Sequence, residues 1–174
     1  MSELSMNELD KADSLTHLSS VDQYLTFGIG EEDYGIRILS VQEIRGWEHV
    51  AHVPNTPGYV KGVLNLRGTA VPVIDMRLRM GQPQPGYDSS TVVIVVRAEI
   101  ESNERIAGLV VDDVSDVMNA RSDEIRKTPD FGDRINTEFI SGLVDVGGKM
   151  VMLLDVDAFM RHPDIYQSIE QTEG

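Results

Sequence analysis

VKGVLNLRGTAVPVIDMRLRM, Val60 to Met80, has a second version further along the chain, ISGLVDVGGKMVMLLDVDAFM, Ile140 to Met160. Laid together without a gap, Gly62 falls on Gly142, Asn65 on Asp145, Gly68 on Gly148, Val71 on Val151, Asp75 on Asp155 and Met80 on Met160, at a constant offset of 80. Upstream, YGIRILSVQEI (34–44) matches AGLVVDDVSDV (107–117) at an offset of 73, with Gly35 on Gly108, Val41 on Val114, Glu43 on Asp116 and Ile44 on Val117. Two blocks in the same order mark an internal duplication, which fixes the architecture before any single element is read.

Each copy reads as strands. QYLTFGI (23–29) and DYGIRI (33–38) alternate, and the GEED between them has turn chemistry, so they are expected to form a hairpin. TVVIVV (91–96) is continuously apolar and β-branched, as in a strand covered on both faces. Gly147–Gly148 is a tight-turn signal, and Arg67–Gly68 is its counterpart. Pro72 removes a ladder donor and suggests a sheet edge or a bulge. Thr56 and Pro57 resemble a helix start that Gly62 would end, Asn136 and Gly142 bracket the equivalent element, and Asp155 is placed to cap a short helix through Phe159 and Met160. GQPQPGYDSS (81–90) reads as the linker. RAEIESNER (97–105) reads as a long hairpin tip. Short strands at regular spacing imply two small barrels of about five strands, over 21–82 and 88–162, with strand exchange between them left open. Each would be marginal alone at that size, so a shared interface is expected. Residues 1–20 are expected to form a disordered acidic extension and 163–174 a tail.

Composition narrows function. A hydrophobic share of 41% is enough for a packed core, and the absence of cysteine removes disulfides and thiol catalysis. The formal net charge of −14 repels a phosphate backbone and argues against nucleic-acid binding. MSELSMNELDKADSL shows neither a basic nor an apolar region, so no signal peptide is expected, and with no run of about 18 apolar residues no membrane span is expected.

Catalytic readings fare poorly. Glu31-Glu32-Asp33, Asp112-Asp113 and Asp155 with Asp157 lack the spacing of a calcium loop, and His49 with His52 lacks that of a helical zinc pair, so no metal or other cofactor is expected. No nucleophile elbow or phosphate-binding glycine loop is present. Asp75 and Asp155 recur at matched positions, which favours structural turns, together with Gly68 and Gly148. Binding has better material: SVQEIRGWEHV (40–50) mixes apolar residues with Glu43, Arg45 and Trp47, and NLRG puts Arg67 at a hairpin shoulder. Arginine and tryptophan are favoured at protein–protein contacts. On the residues alone, a core Trp47 and a solvated Arg67 remain equally open.

YLTFGIGEEDYGIRILSVQEIRGW, PNTPGYVKGVLNLRGTAVPVIDMR and TVVIVV followed by AGLVVDDVSDVM together resemble the CheW chemotaxis coupling proteins, over about residues 22–160. The resemblance implies two packed SH3-like five-stranded β-barrels, an all-β fold with a few helical turns, and no enzymatic activity. It implies a cytoplasmic adaptor at receptor arrays on the inner face of the membrane. Its partners would be the CheA histidine kinase through that kinase's regulatory domain, the cytoplasmic tips of methyl-accepting chemoreceptors, and other coupling-protein copies in rings. Carried onto this sequence, the receptor-facing surface falls on Val41, Glu43, Ile44 and Gly46, on Gly62 and Arg67, and on Val92, Val114 and Val117 in a groove between barrels. Glu43 and Arg67 are expected to pair or to exchange partners on docking. The alternatives are a generic SH3-like adaptor reading peptides and a hydrolase; a chain only 6% aromatic is poorly supplied for a proline-peptide groove.

Overall fold

The computed structural model describes residues 20–83, 85–129, 138–162 and 165. The acidic extension through residue 19, Asn136 and most of the tail fall outside that range. Ten strands run in chain order: β1 (Val21–Ile29), β2 (Glu32–Arg37), β3 (Val41–Gly46), β4 (Val60–Leu66), β5 (Thr69–Asp75), β6 (Val92–Ile100), β7 (Asn103–Val111), β8 (Asp113–Arg121), β9 (Ile140–Val146) and β10 (Lys149–Leu154). Two short helices, α1 (Met76–Arg79) and α2 (Val156–Arg161), follow β5 and β10.

The strands form two five-stranded sheets, ordered β8-β1-β2-β10-β9 and β3-β6-β7-β5-β4. Copy one is β1 to β5 and copy two is β6 to β10, so each sheet takes its first hairpin from one copy and its other three strands from the other. The spans 21–82 and 88–162 therefore describe the repeat and not the sheets. The joins are parallel ladders at equivalent places: Gly35 lies opposite Leu153 where β2 meets β10, and Gly108 lies opposite Val73 where β7 meets β5. Each sheet curls back on itself through one bridge beyond its edge strand. Ala51 and Val63 exchange backbone bonds of 3.1 and 2.8 Å, and Arg126 and Leu143 bonds of 2.8 and 2.9 Å.

Local chemistry explains the turns. β1 and β2 join through Gly30 and Glu31, with Gly30 at a φ of 63°. β4 and β5 join through Arg67 and Gly68 at φ 51° and 87°, and β9 and β10 through Gly147 and Gly148 at 60° and 84°. Two consecutive positive φ values are the twist-matched hairpin turn. In both turns the side chain three residues earlier secures the second glycine: Asn65 Oδ1 accepts from Gly68 N at 2.8 Å, and Asp145 Oδ1 from Gly148 N at 2.9 Å. RAEIESNER is a hairpin tip, but its extra residues lengthen β6 and β7, leaving only Glu101 and Ser102 in the turn. Asp75 and Asp155 cap α1 and α2, accepting from Arg77 N and Ala158 N.

Two expectations are corrected. No helix begins at Thr56: its hydroxyl donates back to Val53 O at 2.9 Å, Pro57 to Val60 close a single turn, and Gly62 already belongs to β4. Pro72 is neither at an edge nor in a bulge, since β5 lies between β4 and β7. The ladder to β7 begins only at Val73, so the missing proline N–H breaks no bond there; the irregularity is in β4, between Val60 and Gly62.

Packing follows the same plan. One apolar cluster fills the barrel of β3 to β7, with Leu64, Val73 and Val93, and a smaller one fills the other barrel, with Val144, Val151 and Leu153. The largest joins the two, setting Leu25, Phe27 and Ile36 against Ile74, Ile94 and Leu109. The shared interface is thus the principal core.

Candidate docking surface

Glu43 projects from β3 and Arg67 from the β4–β5 turn, on strands at opposite edges of one sheet. The curl of that sheet brings them together, with Arg67 Nη2 3.2 Å from Glu43 Oε1. The arginine side chain is 71% exposed and the glutamate 26%. Arg67 holds its left-handed backbone without the freedom of glycine, at a position where the other copy has Gly147. Such a conformation costs on the order of 1 kcal/mol for a residue with a Cβ. The strain is stored under an outward-facing guanidinium.

Around this pair β3 exposes alternate residues: Ile44 and Gly46 face solvent, while Val41 and Glu43 are half-buried. Ile44 lies opposite Ile94 on β6, and Gly46 opposite Val92. Val41, Val92 and Val114 are partly buried against the core shared by the two barrels. Val117, the counterpart of Ile44, is likewise exposed, on β8 opposite Leu25. The structure therefore brings Glu43 to Arg67 and packs Val41, Val92 and Val114 against one shared core, with Val41 and Val92 at opposite ends of the β3–β6 ladder.

Gly62 belongs to a different class. It is buried in β4 with φ 148°, and a Cβ there would lie 2.1 Å from Ala51 O, the oxygen that accepts from Val63 N to close the barrel. The other copy repeats the arrangement: a Cβ on Gly142 would lie 2.5 Å from Ile125 Cγ2 and 3.0 Å from Arg126 O. Gly62→Ala is expected to destabilise the fold by roughly 3 kcal/mol, the upper end for overpacking, because a backbone carbonyl cannot turn aside. Urea unfolding reads this out as a lowered midpoint, and an unchanged midpoint would return Gly62 to the exposed surface.

Sequence reasoning missed a buried ionic hub. Arg77 and Asp75 are 2% and 0% exposed and pair through Arg77 Nε to Oδ1 at 3.0 Å and Nη2 to Oδ2 at 2.9 Å. Arg77 Nη1 donates to Gly86 O at 2.6 Å and to Asp112 Oδ1 at 3.2 Å, while Asp112 Oδ2 accepts from Gly30 N at 2.6 Å. Tyr87, carried by the linker, donates to Asp75 Oδ2 at 2.7 Å, lies under the Arg77 guanidinium and packs on Trp47 with ring centres 4.3 Å apart. Burial works against an ionised Asp75, but bonds from Arg77 and Tyr87 outweigh it and hold the carboxyl below its usual range. Burial and the neighbouring Asp75 push the Tyr87 phenol up. The hub ties the linker to both sheets and holds Trp47 half-buried against the core. Its only sequence trace was Arg77 two residues after the capping aspartate.

Among the described residues no three His, Asp or Glu gather as a metal site, and no helix is long and apolar enough to cross a membrane. The model of the CheW-like domain matches residues 23–164. The chain is 44% identical over 138 residues to the chemotaxis protein CheW of Klebsiella aerogenes, covering 79% of this chain and 81% of that protein. It is 34% identical to the chemotaxis protein CheW of Rhizobium meliloti, covering 78% and 85%. Among solved structures, the scaffolding protein TtCheW of Thermoanaerobacter tengcongensis matches with a TM-score of 0.72 at 28% identity, over 82% of this chain and 90% of that one.

Proposed function

The chain belongs to the CheW-like domain family, and from that premise we propose that it is a non-enzymatic chemotaxis adaptor. It couples the CheA histidine kinase, through that kinase's regulatory domain, to the cytoplasmic tips of methyl-accepting chemoreceptors. It works at receptor arrays on the inner face of the membrane and joins other copies of itself in rings. The receptor-facing surface comprises Val41, Glu43, Ile44, Gly46 and Arg67, with Val92, Val114 and Val117 receiving a helical receptor tip. Gly62 supports that surface from beneath. Two faces on one rigid body hold kinase and receptor together, and many weak contacts sum by avidity. Receptor state then biases kinase output through the arrangement of the two.

The observation that carries this reading is Arg67: a strained, exposed arginine kept where the fold's own repeat uses glycine. Arg67→Gly is expected to leave thermal stability unchanged or raised by up to about 1 kcal/mol, since the strain outweighs an exposed ion pair. The same variant is expected to bind receptor-bearing membranes at least tenfold more weakly, as loss of an arginine anchor does. Co-sedimentation with those membranes and the kinase, with kinase activity recorded, measures both binding and coupling. A variant that melts early and still couples would reverse the assignment.

A further inference from the structure

The duplication gives each place in one barrel a counterpart in the other, and one pair of places differs in what fills it. Beside the barrel of β3 to β7, Tyr87 donates its phenol proton to Asp75 at 2.7 Å, with the Arg77 guanidinium 4.7 Å and the Lys61 ammonium 5.8 Å from its ring centre. At the offset of 80, the counterparts of Lys61, Asp75 and Arg77 are Ser141, Asp155 and Asp157. All three line a cavity of about 360 Å³ beside the other barrel, together with Tyr24, Arg37 and Ser40. This cavity is the counterpart of the seat of Tyr87.

Its chemistry is kept while the sources change. Asp155 supplies a carboxylate where Asp75 does; one of its oxygens accepts from Ala158 N at 3.0 Å. The cation comes from β2: Arg37 stands where the other barrel has the buried Val110. Arg37 is 62% exposed and reaches Asp22 at 3.3 Å. A second cavity of about 390 Å³ shares Arg37, Ser40 and Asp157 with the first, and Leu39 on its edge is 77% exposed.

We propose that this cavity is a recognition pocket for a tyrosine side chain presented by a partner protein, its hydroxyl donating to Asp155 and its ring lying against the Arg37 guanidinium. Both interactions are made by Tyr87 in the other barrel, so the fold already contains one occupied example. A phenol–carboxylate bond is charge-assisted and directional, and a guanidinium over an aromatic face adds selectivity for the ring. The joined cavities exceed the needs of a phenol, which leaves room for flanking residues, and Leu39 suits an apolar neighbour. Asp155 and Asp157 together repel a phosphorylated tyrosine.

The test is titration of the intact protein with acetyl-Tyr-Leu-amide, followed by amide shifts in NMR. Saturable shifts at Ser40, Ile125 and Ser141 are expected, with the Phe-Leu analogue at least tenfold weaker because the carboxylate loses its donor. Arg37→Gln, at an exposed position, should keep the spectrum of a folded protein and weaken binding at least fivefold; Ser40→Trp, which fills the cavity, should abolish it. No saturation, equal binding of the Phe-Leu analogue, or an unaffected Arg37→Gln would each overturn the proposal. Binding of p-cresol as tight as the peptide would make the pocket a small-phenol site instead.

Discussion

Asp75→Ala is expected to remove about 3–5 kcal/mol of stability, a large part of what a domain of this size has. The guanidinium of Arg77 stays charged at every accessible pH, and at 2% exposure it would be left buried with only the partly exposed Asp112 opposite. The Tyr87 hydroxyl would lose its acceptor and α1 its cap in the same step. Asp155→Ala is the internal control. Asp155 holds the matching place but spends its described bond on Ala158 N alone, so its loss should cost only about 1 kcal/mol, the value of a cap. Chemical denaturation of the two variants side by side measures the difference, and similar losses would show that the hub adds nothing to the cap. The pH dependence has a definite sign. The Asp75 carboxyl is depressed in the folded state, so its contribution is fully present above the ordinary carboxylate range near pH 4 and is lost as pH falls through its lower folded value. Acid unfolding of Asp75→Ala should accordingly be shallower than that of the parent.

Residues 1–84 and 85–174, made as separate chains, are each expected to lack cooperative folding, and their mixture to regain it. Alone, the first fragment would hold the β1–β2 hairpin without β8 or β10, and β3 beside β4 and β5 without β6 and β7 between them. Neither set can close a barrel or cover the shared core. Dispersed amide spectra and a sharp urea transition should appear only on mixing. A monomeric first fragment with a dispersed spectrum of its own would contradict the strand exchange.

Local chemistry was legible in the sequence because local chemistry determines it. Gly30, Gly68 and Gly148 announced their turns, Asp75 and Asp155 their caps, and the duplication the five-strand unit. The exchange was not legible, because a parallel ladder between Gly35 and Leu153 leaves no signal in either neighbourhood. Thr56-Pro57 read as a helix start because its chemistry is that of any tight turn, and only the closeness of Ala51 to Gly62 explains why the strand begins there. The pairing of Glu43 with Arg67 was expected only because the family resemblance sets both on one surface. The burial of Arg77 is not legible, because a lone arginine after a capping aspartate is ordinarily solvated and is held inward here by the linker's Tyr87 and by Asp112, 35 residues further on.

The parallel join of β2 to β10 also sets a timetable for making the protein. Gly35 leaves the ribosome 118 residues ahead of Leu153, which at ordinary translation speeds is an interval of roughly 6–24 s. Throughout it, the hairpin that carries Leu25, Phe27 and Ile36 has an unpaired β2 edge, since β10 has not yet been made, while its β1 edge gains β8 earlier. The nascent chain thus shows an open sheet edge until β10 is made, which is the kind of exposed edge that invites association during synthesis.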